Sequence, residues 1–194
     1  MYRLRYEGGV FSKERSAIEA CVPERMNKVV KAAENVGNAL IQRWFGSKAC
    51  PGGTRYAAFN AKRKAMSAYL NNQCQVLTFV KAIYGHRVDS AVVEKGDYAQ
   101  VMRSCFTKEG GEAVPGFVPS GLRIYLLGTG FVDLDEQERF NTIAHEISHR
   151  VLDTTDYWYG KNKSLARAVS NSSKCVDCAE NWGYFYQEVD AQTA

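Results

Sequence analysis

Histidine is scarce in this chain: 194 residues hold only three, His86, His145 and His149. A site built from three imidazoles close in sequence is thereby excluded, and any metal held by two of them needs an acid as its third ligand. No apolar run approaches the length of a membrane span. The opening residues, Met1 to Gly9, lack the apolar stretch of a signal peptide. The reading that follows is export by a route without a visible signal, or after its removal, with a cytoplasmic location as the other option. Net charge is only +4 and the basic residues are scattered, so no nucleic-acid surface is expected. Six cysteines are too few for a disulfide-built scaffold of this length. Cys74 and Cys105 flank strand-like segments and are the favoured couple. Cys175 and Cys178 form one CxxC with no second to complete a thiolate site, so free or bridged thiols are expected there.

What remains is an ordinary globular composition, 45% apolar and 24% charged, with no internal repeat. The chain reads as a single domain over 1–194, with a helical lobe at 1–72 and a sheet with further helices at 73–194. A short helix is predicted from Ser12 to Glu19. Pro23-Glu24-Arg25 opens a second, whose stripe of Met26, Val29, Val30, Ala33, Leu40, Ile41 and Trp44 ends at Gly46. Tyr56, Phe59, Met66, Tyr69 and Leu70 trace a third. The period then changes: Val76–Val80, Tyr98–Met102 and Leu122–Leu127 read as strands. Segregated helices and strands make this an α+β fold with a small, mostly antiparallel sheet. His86 reads as a turn residue without a role.

The chain's richest stretch runs from Thr142 to Gly160. Asp133 or Asp135 can cap a helix whose apolar stripe is Phe140, Ile143, Ala144, Ile147 and Val151. Beside that stripe lie His145, Glu146 and His149. Histidines four apart share one helix face, and both can reach one ion, with the glutamate placed to take a proton from a water there. The open choices for a third ligand are Asp153, Asp156, Asp177, Glu180 and Glu188. Asp153-Thr154-Thr155 has low helix propensity and should turn the chain, so Asp156 can approach from a direction the helix does not provide. It is the favoured ligand. A phenol from Tyr157 or Tyr159 beside it can donate to a developing oxyanion.

His145-Glu146-Ile147-Ser148-His149, then Thr154-Thr155-Asp156-Tyr157-Trp158-Tyr159-Gly160, resembles the signature of the aspzincin metalloendopeptidases. Tyr98–Val101, Arg123–Gly128 and the tail Ala179-Glu180-Asn181-Trp182-Gly183-Tyr184-Phe185 are similar to that family's pattern as well. The resemblance implies a zincin-like metalloprotease with a helical N-terminal part and a central HExxH helix. Zn2+ would be held by His145, His149 and Asp156, with Glu146 as base and Tyr159 stabilising the oxyanion. Protein or peptide would be the substrate. Asp153 stands where the family has glycine, and Asp tolerates a left-handed backbone better than most residues. Lysine-specific members place two acids of the tail segment at the substrate; Glu180 matches the first, giving it a substrate-binding role, while Gly183 occupies the second. One carboxylate would still favour a basic P1′ side chain. The expected protein is thus a zinc endopeptidase, monomeric, and an effector or toxin delivered outside the cell. The alternatives are a zinc-stabilised binding module and a peptidase using Glu180 or Glu188 as third ligand.

Overall fold

The computed structural model describes residues 3–7, 10, 12–22, 24–72, 76–82, 87–88, 91–92, 99–101, 121–127 and 130–193. The first strand, β1, spans Arg3–Glu7, and in it Leu4 and Tyr6 pack against the core while Arg3 and Arg5 are exposed. That alternation is the period of a half-buried strand. Four helices follow: α1 (Ser12–Cys21), α2 (Glu24–Ala32), α3 (Asn38–Phe45) and α4 (Tyr56–Asn71). The stripe from Met26 to Trp44 is buried as its spacing predicts, but two helices share it, because a 3-10 turn at Ala33–Asn35 and extended Gly37 interrupt the run. Gly46 ends α3 at φ 82°. A Cβ there would lie 2.6 Å from Asn171 Oδ1 and 2.7 Å from the Ala168 carbonyl, so only glycine fits.

Next come β2 (Val76–Ala82), a small antiparallel pair β3 (Arg87–Val88) and β4 (Ala91–Val92), β5 (Ala99–Val101) and β6 (Gly121–Leu127). The main sheet has the order β1-β2-β6-β5. Its expected antiparallel character is overturned: β1 with β2 and β2 with β6 are parallel, and only β5 runs antiparallel to β6. The physical reason is the crossover. A chain that leaves β1, builds four helices and returns to β2 comes back in the same direction. β6 is also an inner strand, and among the described residues β5 stands at the end of the sheet beside it.

After the sheet stand α5 (Gly130–Asp133), α6 (Glu136–Leu152), α7 (Lys161–Val169) and α8 (Ala179–Thr193). Phe45, Phe59, Trp182, Phe185 and Tyr186 form an aromatic core joining α3, α4 and α8. Phe140, Ile143, Ala144 and Ile147 turn α6 into the same core. At Gly183 an added Cβ would sit 3.0 Å from Asn141 Oδ1 and 3.2 Å from its carbonyl, so α8 approaches α6 closely at that point. Among the described residues, no helix is long and apolar enough to cross a membrane. Cys74, Cys105 and His86 lie outside the described residues; Cys21, Cys50, Cys175 and Cys178 are free thiols.

Candidate metal centre

The helix that carries the two histidines is fixed at both ends. Asp135 caps its start: the side chain accepts from the Glu138 N–H at 2.8 Å, and Glu138 accepts from the Asp135 N–H at 3.2 Å. At the other end Asp153 takes the left-handed conformation, φ 51° and ψ 48°, the geometry that a glycine would supply. Lys62 of α4 donates to the Leu152 carbonyl at 2.7 Å and pairs with Asp177 at 2.8 Å. Asp177 and Asp153 are thus end-of-helix residues and not members of the ligand cluster.

Past Asp153 the chain doubles back. The Thr155 N–H donates to the Asp177 carbonyl at 2.8 Å, and the Ala179 N–H donates to the Thr155 carbonyl at 3.2 Å. This parallel bridge between Thr155 and Cys178 straps the turn to the segment that opens α8. Asp156 is thereby returned to the face of α6. Its Oδ1 lies 3.1 Å from His145 Nε2 and 3.1 Å from His149 Nε2, and the two Nε2 atoms are 3.1 Å apart. That Oδ1 is buried with no aligned hydrogen-bond donor. The close approaches are therefore donor atoms converging on a common point. Three atoms so spaced leave a position roughly 2 Å from each, the length of zinc bonds to nitrogen and oxygen. His145, His149 and Asp156 together could hold a metal ion, and two imidazoles with one carboxylate suit zinc.

The outer ring atoms fix the tautomers. His149 Nδ1 lies 2.9 Å from the Thr154 carbonyl, which only accepts, so Nδ1 carries the proton and Nε2 offers its lone pair inward. His145 Nδ1 donates in the same way to Glu180 Oε2 at 3.0 Å. Burial disfavours charge on His145, but Asp156, Glu180 and Glu146 outweigh it and push the ring up to about 10. Burial opposes the Asp156 charge too, yet the two imidazoles hold its carboxyl well below the usual range. The centre is therefore a place where positive charge is strongly favoured.

Glu146 is buried on α6 between the two histidines in sequence. The aromatic cluster divides its labour. Trp158 is buried, its Nε1–H donating to Asn181 Oδ1 at 3.0 Å and to Ser164 Oγ at 3.2 Å, whereas Tyr159 is 63% exposed. The Tyr159 ring lies nearly parallel to that of His145, 15° apart with centroids at 6.3 Å. Burial, the Asp156 charge and a hydrogen bond to Asp156 push its phenol upward, so it stays a donor at neutral pH. Glu180 lies at the far side of His145, buried, with Oε1 accepting from the Gly160 N–H at 2.7 Å. Both of its oxygens therefore face protein partners and not the substrate that the family resemblance implies. Glu188 is remote from the centre, bonded to Trp44 Nε1 at 2.8 Å and Arg43 at 3.1 Å. Neither glutamate is part of the cluster of donor atoms, which holds His145, His149 and Asp156. Two contacts are illegible in the sequence: the Thr154 carbonyl behind His149, and Glu180 behind His145.

A buried pair of helix-borne imidazoles closed by a turn aspartate is a donor set of the kind that zinc hydrolases use. Residues 120–187, the segment carrying every site residue, match the model of the aspzincin M35 family, described as lysine-specific metallo-endopeptidase, in line with the resemblance read from the motif. Among solved structures the chain is similar to a zinc peptidase from Grifola frondosa. The TM-score is 0.64 at 21% identity, covering 92% of this chain and 96% of that one. The comparison with curated proteins gave no match.

Proposed function

We propose that this chain hydrolyses internal peptide bonds of protein substrates, with His145, His149 and Asp156 as zinc ligands, Glu146 as general base and Tyr159 as oxyanion donor. The observation that carries the reading is the convergence of two Nε2 atoms and an orphaned buried carboxylate oxygen, each 3.1 Å from the others. When bound, zinc supplies Lewis-acid polarisation of the scissile carbonyl and an acidified water. Glu146 takes the proton of the attacking water on its carboxylate and passes it to the leaving amine nitrogen. The Tyr159 phenol donates to the carbonyl oxygen as negative charge builds there. The β5 edge, at the end of the sheet, suits backbone pairing with an extended peptide.

The tail segment does not support strong selection for lysine at P1′. Glu180 is turned inward, and position 183 sits too close to Asn141 for an acid to stand there without displacing it. We therefore read the enzyme as broad at that subsite. The same reading takes the protein to be a single-domain monomer that acts as an effector outside the cell that makes it.

The test pairs two variants. Asp156→Ala should abolish binding of one zinc per chain, and Glu146→Ala should retain zinc while losing at least 100-fold in kcat on casein, about the contribution of a general base. Casein cleavage undiminished in Glu146→Ala would refute the mechanism. A zinc-loaded wild type that cuts no protein would favour the zinc-stabilised binding module.

A further inference from the structure

We infer that Glu180 is a positioning residue for the metal centre, one carboxylate that locks both a ligand imidazole and the segment bearing the oxyanion donor. The inference rests on the peptidase reading and departs from the substrate-binding role that the family resemblance implies for this position.

Three observations carry it. Glu180 Oε2 lies 3.0 Å from His145 Nδ1, and Oε1 lies 2.7 Å from the backbone N–H of Gly160, next to Tyr159. The side chain is only 10% exposed, so a substrate has little access to it. Its backbone has no freedom to swing outward. Asn181, next in the chain, is buried between the Trp44 carbonyl and Trp158, and Cys178 is bridged to Thr155.

The chemistry follows from what a carboxylate does. It only accepts, so the proton of His145 stays on Nδ1 and the Nε2 lone pair stays directed at the metal. The same group fixes the strand after Asp156, and with it the distance from the Tyr159 phenol to the centre. A glutamine is isosteric but has one accepting oxygen and one donating nitrogen. It can satisfy either His145 or Gly160, and it meets the other N–H with its own.

Zinc competition against a chromophoric chelator tests this without reference to activity. Glu180→Gln should bind zinc roughly 10- to 100-fold more weakly than wild type, the loss typical of an outer partner of a metal-bound histidine. Far-UV circular dichroism should show an intact fold. On a peptide library kcat should fall with KM little changed, and the P1′ profile should match wild type. If Glu180→Gln does not fold, Glu180→Asp carries the same expectation, since it keeps the charge but is one methylene short of spanning both partners. Unchanged zinc affinity with an altered P1′ profile would overturn the inference in favour of substrate recognition. Unchanged affinity and profile would overturn it in favour of a purely structural acid. In both cases a wild type that binds zinc and cuts leaves the peptidase reading standing; a wild type that binds no zinc overturns the two together.

Discussion

At Gly160 the backbone stands at φ 91° and ψ 143°, a conformation that side chains strain to adopt, although nothing lies within 4 Å of a Cβ placed there. The obstacle to substitution is therefore torsional and not steric, and Gly160→Ala should cost about 1–3 kcal/mol of stability. Relaxing that strain moves the N–H away from Glu180 and the Tyr159 ring away from His145. Activity should consequently fall further than stability does, which parallel thermal melts and kcat measurements would show; equal losses would mean that Tyr159 does not depend on this torsion. The residue scale is also where the sequence was most and least readable. His145, Glu146, His149 and Asp156 stood out because chemistry dictates their types and spacing. Thr154 was silent, since it acts through a carbonyl that every residue possesses. Glu180 was visible as an acid, but nothing in one dimension says that its oxygens point to an imidazole 35 positions away.

Among the elements, α6 is held by its neighbours through a charge cluster at its start. Arg25 of α2 bonds Asp190 of α8 through two nitrogens, at 2.8 and 2.6 Å, and also pairs with Glu136, while Gln137 donates to Asp190 at 2.9 Å. Burial pushes the Asp190 carboxyl up, but the bonds from Arg25 and Gln137 and the charge of Arg25 prevail and leave it depressed. A depressed carboxyl contributes stability that is complete above its ordinary value of about 3.9 and is lost as pH falls through the lower folded one. Asp190→Asn should therefore cost about 1.5–3 kcal/mol near neutrality, the range for charge-assisted hydrogen bonds. The difference should shrink in strong acid; urea titrations of both proteins across pH would reveal a constant gap if the pair played no part. Element existence is legible from periodicity: α1, α4, α6 and the strands β2, β5 and β6 fall where the sequence pattern puts them. Strand direction is not, because alternation marks the buried face of a strand and carries no record of which neighbour runs which way. β1 was overlooked although Leu4 and Tyr6 alternate with charges, since five residues of two inward side chains give a weak signal.

For the whole molecule, a bound metal would add a further tie between parts already joined by hydrogen bonds and packing. His145 and His149 belong to α6, Asp156 and the Thr154 carbonyl behind His149 to the strapped turn, and Glu180 behind His145 to α8. Anything that binds the folded state alone stabilises it, by about 4 kcal/mol when present at a thousandfold over its dissociation constant. Chelation should then lower the melting temperature of the wild type by several degrees and leave Asp156→Ala unmoved. A chelator-insensitive wild type would show that the centre contributes nothing to the fold.

The bridge between Thr155 and Cys178 has a temporal meaning. During synthesis the two histidines emerge from the ribosome well before the segment at 177–179 that draws Asp156 into place. A nascent chain thus carries the recognisable motif while lacking the strap that assembles it. The donor cluster is therefore complete only once the segment that opens α8 has docked on the turn that carries Asp156.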